Sequence, residues 1–152
     1  MLKKLIPICF FTACSILPAC QLFGPDVPLD VLSKNRSTWD TWTEGTYSYR
    51  LLRGCYCVSS GMMWIQVMDH EIVYAYSVWE ERPVPQDQLA YIETIESIFD
   101  MIKRAEKEAD EWDVEWAEEG YPARVSIDWI KEAIDDEMYL EVSDVVPGAM
   151  ID

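Results

Sequence analysis

Residues 91–109 read YIETIESIFDMIKRAEKEA. Within this stretch Ile92, Ile95, Ile98, Phe99, Ile102, Ala105 and Ala109 recur at steps of three and four, the spacing that lines up one face of an α-helix. Thr94 stands where the stripe begins and is suited to capping the free N–H groups of a first turn. Glu96 follows near the positive end of the helix dipole, and Lys103, Arg104 and Lys107 lie toward the negative end. A helix that is apolar on one side only must bury that side, so the stripe calls for a layer beneath it.

On both sides of this helix the apolar period changes from three or four to two. Thr46 to Arg53 alternates, with Tyr47, Tyr49 and Leu51 on one face. Met62 to Met68 places Met63, Ile65 and Val67 together, and Asp69-His70 supplies a tight turn into Glu71 to Trp79. After the helix come Asp113 to Ala117 with Val114 and Trp116, Ala123 to Trp129 with Val125, Ile127 and Trp129, and Glu137 to Val145 with Met138, Leu140 and Val142. Glu119-Gly120 makes a turn ahead of Tyr121-Pro122, where the proline holds Tyr121 extended. Pro83 and Pro85 interrupt the pattern, and Lys131 to Asp136 reads as an acidic loop or one helical turn. At the other end, Leu29, Leu32, Arg36, Trp39 and Trp42 recur at helical spacing and predict a short helix from Asp30 to Trp42, capped by Asp30 and ended by Gly45. The order is short helix, three strands, long helix, three strands. It predicts an α+β fold: an antiparallel sheet of about six strands, curved by its twist, with the long helix packed on one face.

The start of the chain follows a different logic. Lys3 and Lys4 precede an uncharged run from Leu5 to Leu17, too short for a spanning helix of about 20 apolar residues. Leu17-Pro18-Ala19-Cys20 resembles the lipobox of bacterial lipoproteins, which implies cleavage before Cys20 and a lipid on its thiol. Cys14 fits that pattern poorly. The expectation is therefore a signal peptide over residues 1–19, a lipidated tether over 20–29 containing Gly24, Pro25 and Pro28, and one domain over 30–152. Gln21, in place of the Asp that commonly retains such proteins at the inner membrane, favours the periplasmic leaflet of the outer membrane in a Gram-negative cell.

Composition narrows the partners. Twelve basic residues face 28 acidic ones, a net charge of −16, and removal of Lys3 and Lys4 makes the chain more acidic still. Such a surface repels nucleic acid and anionic headgroups. Half of the residues are hydrophobic, with seven Trp and eight Tyr, which is material for a core rather than for a disordered chain. Trp39, Trp42, Trp64, Trp79, Trp112, Trp116 and Trp129 are assigned mostly to that core, and any exposed subset would make a platform for a peptide or a sugar.

Five features lie in order along the domain: Tyr47-Ser48-Tyr49; Cys55-Tyr56-Cys57; Tyr91-Ile92-Glu93-Thr94-Ile95 with Phe99; Gly120-Tyr121-Pro122; and Ile127-Asp128 followed by Asp135-Asp136-Glu137. Together they resemble a family of bacterial envelope lipoproteins known as domain of unknown function 6174. The resemblance implies an α+β envelope domain and carries no activity with it.

Two groups of residues have chemistry to offer. Cys55 and Cys57 admit a small structural disulfide, two buried thiols, a soft-metal site or a redox pair. An exported, oxidising compartment favours the bridge. Asp128, Asp135, Asp136 and Glu137, with Glu118 and Glu119 approaching from a neighbouring hairpin, are hard oxygen ligands of the kind Ca²⁺ takes. A solvated acidic edge is the plainer account of them. His70, the only histidine, sits at a turn tip, and no Gly-x-Ser-x-Gly, His-Glu-x-x-His or phosphate-cradling loop is present. The chain is accordingly read as a membrane-anchored envelope lipoprotein without a catalytic site or a required cofactor. Its domain would bind an envelope protein or glycan or support the envelope. The alternatives are a calcium-binding module at the acidic edge and a thiol-redox protein using Cys55 and Cys57.

Overall fold

A computed structural model of the chain describes residues 29–55 and 60–148. The signal peptide, Cys14, Cys20 and Cys57 lie outside the described residues, as does all but the last residue of the tether. Among the described residues no helix is long and apolar enough to cross a membrane.

The helix expected from residues 91–109 is α2, Ile95–Glu108. Thr94 caps it: the Ser97 N–H donates to Thr94 Oγ1 at 3.1 Å. Its stripe is buried at Ile95, Ile98, Phe99, Ile102 and Ala105, and each such side chain removed from water contributes roughly 1.5–3 kcal/mol for the large aliphatics and Phe. The N-terminal helix α1 runs Leu29–Thr43, one residue longer than α2 rather than short, and it starts early enough that Asp30 lies inside its first turn. Glu44 and Gly45 both take left-handed backbone angles and end it.

The strands are β1 Tyr47–Gly54, β2 Gly61–Met68, β3 Glu71–Ser77, β4 Arg82–Pro83, β5 Glu111–Trp116, β6 Pro122–Asp128 and β7 Glu137–Pro147. They form one antiparallel sheet in the order β4-β3-β2-β1-β7-β6-β5. The sheet has seven strands rather than about six. The added one, β4, contains the Pro83 that reads as a break, and it is tolerated because an edge strand can leave one side without N–H donors. A short 3-10 helix, Gln86–Tyr91, leads from there toward α2. The first meander, β1 to β3, and the second, β5 to β7, meet where β1 pairs with β7. That long-range contact places the first strand and the last at the centre.

Alternation decides which face is covered. Tyr47, Tyr49, Leu51, Met63, Ile65, Val67, Ala75, Val125, Ile127, Leu140 and Val142 are all buried in one core with Ile95, Ile98, Phe99 and Ile102 of α2 and Trp39 of α1. Both helices therefore lie on the same side of the sheet. Trp39 meets Tyr47 edge-on, with ring centres 4.8 Å apart, and Tyr121 in a similar way at 5.9 Å. The Asp69-His70 turn has positive φ at both residues, 51° and 67°, as a two-residue hairpin of this hand needs.

Candidate binding surface

The residues that alternate with the core build the opposite face, and cross-strand register sorts them into rows. On one side of the sheet, Arg50, Trp64 and Tyr76 form one row across β1, β2 and β3, and Ser48, Gln66 and Tyr74 form the next. Leu52 and Met62 continue the patch. Tyr74 and, further along, Tyr139 are exposed, at 40% and 37%, while Trp64 and Tyr76 are half-buried. The Arg50 guanidinium lies 4.2 Å from the centre of the Trp64 ring and 2.9 Å from Asp144. Asp144 reaches it from a bulge in β7, where its φ is 50°. Among the described residues no helix covers this face.

Across β5, β6 and β7, at the other end of this same face, the rows are acidic. Glu111, Asp128 and Glu137 stand directly opposite one another across β5, β6 and β7; Asp113, Ser126 and Tyr139 follow; then Glu115, Arg124 and Glu141. Opposed side chains on neighbouring strands are about 5 Å apart at Cβ, so like charges there repel. Only Arg124 offsets them within the rows, at 3.0 Å from Glu115 and 3.7 Å from Glu141.

The four residues expected at an acidic edge are thus divided. Asp128 and Glu137 are partners in register, and Asp136 turns its carboxylate inward beside them: both of its oxygens and Asp128 Oδ1 are buried without a hydrogen-bond partner among the described residues. Asp135 is exposed, in a left-handed turn at φ 71°. Glu118 and Glu119 do not approach. They sit at the Trp116–Pro122 end of the β5–β6 hairpin, the far end of β6 from Asp128, roughly 20 Å away by strand length. Glu111 takes their place, and its carboxylate accepts from Lys131 Nζ. Among the described residues no three His, Cys, Asp or Glu side chains are grouped so as to hold a metal ion.

Loss of solvent around Asp128, and then the carboxylates of Asp136, Glu137, Glu111 and Asp110, raise its pKa above the usual carboxylate value. The folded chain then holds the proton more tightly than the unfolded one. Stability falls as pH rises from the unfolded pKa through the raised one, and the penalty is complete above that window. Asp128→Asn should therefore melt above the wild type at pH 7, with the gap narrowing as pH falls through the carboxylate range. A gap that stays constant across the titration would refute the assignment.

Cys55 is disulfide-bonded, and its partner lies outside the described residues, as Cys57 does. His70 occupies its turn with Nδ1 3.5 Å from Glu96 Oε1 and with its ring over Gly45, where an added Cβ would come within 2.5 Å of the imidazole. The role of a turn residue accounts for these contacts.

A polar layer inside the core escapes the sequence patterns. Tyr47 donates to Glu96 Oε2 at 2.5 Å and accepts from the Ile95 N–H at 3.0 Å, while Trp39 Nε1 donates to Glu96 Oε1 at 3.1 Å. Tyr49 donates to the Glu93 carbonyl. Arg53 donates to the Tyr91 carbonyl at 2.7 Å and pairs with Glu93 at 3.1 Å. Burial raises the pKa of Tyr47 and Tyr49 far above the phenol range, so both stay protonated donors. These bonds fasten the N-terminus of α2 to β1. A phenol in this setting acts as a structural tie rather than as an acid.

Comparison with known proteins adds one relationship. A family model described as a family of unknown function, DUF6174, matches residues 31–147, nearly all of the folded domain. No curated protein and no solved structure matches the chain.

Proposed function

Since the chain belongs to the family of unknown function DUF6174, whose description names no activity, we propose a function from its own surfaces: it is held at a cell-envelope membrane by a lipid on Cys20 and binds a second envelope component, without catalysis, on the open face of its sheet. One observation carries this reading. Strands with one solvent-facing side ordinarily turn polar residues outward, yet this face, over which no helix lies among the described residues, gathers the exposed Tyr74 with the half-buried Trp64, Tyr76, Met62 and Leu52. Aromatic side chains offer wide, rigid contact area at small entropic cost, and their faces stack on peptide or sugar alike. The net charge of −16 turns the surface toward neutral or cationic envelope proteins and glycans and away from nucleic acid.

The two halves of the proposal separate experimentally. Cys20→Ser should shift the protein from the membrane to the soluble fraction; a variant of unchanged size that stays membrane-bound would refute the anchor. For the binding face, the lipidated protein should co-purify with a discrete envelope component. Tyr74→Ala with Tyr76→Ala should weaken that capture about tenfold or more while the melting temperature changes little. Equal capture by both proteins would refute the aromatic face.

A second reading, a calcium-binding module at the acidic edge, is favoured by the buried, unpartnered oxygens of Asp136 and Asp128. It requires Ca²⁺ to raise the melting temperature beyond matched NaCl, and Asp128→Asn with Asp136→Asn to abolish the excess. Equal melts in the two salts would dismiss it.

A further inference from the structure

The rim of the sheet offers a surface distinct from its face. β5 ends the strand order, and among the described residues no strand lies on its outer side. One row of its backbone N–H and C=O groups therefore points outward, a template that an extended chain completes by hydrogen bonding. The side chains of β5 fall into two sets. Glu111, Asp113 and Glu115 are exposed on the open face, and Trp112, Val114 and Trp116 are half-buried on the helix side, packed against the core.

An added strand must send alternate side chains to the same two faces. On one face it meets three carboxylates, with Asp128 and Glu137 behind them in the same sheet; on the other it meets an apolar row. We propose that β5 receives an extended polypeptide with alternating basic and apolar residues, which adds to the sheet as an eighth strand. Arg124 shows how its cations would sit: one strand inward, that guanidinium lies between Glu115 and Glu141. A cation on the outer side of Glu115 would mirror it. A second copy of this chain is the wrong occupant. Antiparallel pairing of two β5 strands about Asp113 would oppose Asp113 to Asp113 and Glu111 to Glu115, and like charges directly opposite destabilise a sheet. The same carboxylates that block self-pairing select a basic strand.

This inference rests on the reading of the chain as a binding domain but uses another surface. β5 lies four strands from β2, roughly 19 Å across the sheet. The test uses the full-length protein in detergent and short labelled peptides followed by fluorescence anisotropy. An alternating Lys-Val peptide should bind, more tightly at low salt. Glu111→Gln with Asp113→Asn and Glu115→Gln should weaken it about tenfold. N-methylation of one alternate set of peptide amides should abolish binding, and of the other set should leave it. Tyr74→Ala with Tyr76→Ala should bind the peptide as the wild type does, so loss of the native partner in that variant would not bear on β5. The proposal is overturned if the peptide fails to bind, if a Glu-Val peptide binds as well, if a peptide with its lysines and valines in separate blocks binds as tightly, or if both N-methylated sets behave alike.

Discussion

Replacing Arg53 with methionine is expected to destabilise the domain by about 3–5 kcal/mol at neutral pH, the usual result of removing one partner from a buried ion pair. The Arg53 and Glu93 side chains are only 9% and 11% exposed. Arg53 also holds the Tyr91 carbonyl at 2.7 Å, so one guanidinium ties β1 to the segment leading into α2. Burial raises the Glu93 pKa, and the positive charge of Arg53 pulls it back down. Without Arg53 the larger of the two effects that lower it is gone, and a backbone hydrogen bond alone opposes burial. Glu93 would then titrate at higher pH in the folded state, and the variant's stability would fall as pH rises through that wider window. Denaturant melts should show a deficit that is largest near neutrality and shrinks in acid, where Glu93 is protonated. Adding Glu93→Gln should recover part of the loss, because the orphaned charge is gone. A deficit independent of pH, and unrelieved by Glu93→Gln, would mean that Arg53 acts through packing alone.

Arg53 also marks where the sequence stopped being legible. It occupies the next position in the alternation Tyr47, Tyr49, Leu51, so parity alone puts it on the buried face. Charge argues the other way, and only the tertiary partner Glu93, 40 residues on, resolves the conflict. The α2 stripe was readable because a helix covered on one side repeats its apolar residues every three or four positions. The strand faces were readable because both helices lie on one side of the sheet. Pairing between β1 and β7 has no such local signature, since periodicity fixes a face but not a neighbour. The acidic residues illustrate the difference. Asp128 and Glu137 belong together as expected, whereas Glu118 and Glu119 are at the wrong end of a hairpin and Glu111 takes their place through register. The aromatic face was visible only as a count of Trp and Tyr until the register brought Trp64, Tyr74 and Tyr76 side by side.

Gly120→Ala is expected to cost about 2–5 kcal/mol, from two sources that can be measured apart. Gly120 has φ +90° in the turn between β5 and β6, a conformation costly for residues with a Cβ. The turn is closed by the Ala117 N–H to the Tyr121 carbonyl at 2.9 Å and the Gly120 N–H to the Ala117 carbonyl at 3.0 Å, so its backbone is not free to relax. The turn is also pressed against α1. A Cβ at Gly120 would stand 2.4 Å from the Asn35 carbonyl oxygen and 3.2 Å from the Trp39 nitrogen, and helix backbone cannot step aside as a flexible side chain can. Tyr121, next in the chain, stacks on Trp42 and meets Trp39, so a displaced turn would loosen the whole aromatic joint between α1 and the sheet. Gly148 supplies the control. Its φ is +63°, with nothing among the described residues within 4 Å of an added Cβ, so Gly148→Ala bears the backbone strain without a close approach to a helix. Urea melts should place Gly120→Ala well below Gly148→Ala. Limited proteolysis should then cut the Gly120 variant first in α1, the helix nearest the proposed membrane tether. Equal losses in the two variants would mean that the close approach to α1 contributes nothing, and that α1 is held by its apolar residues without the turn.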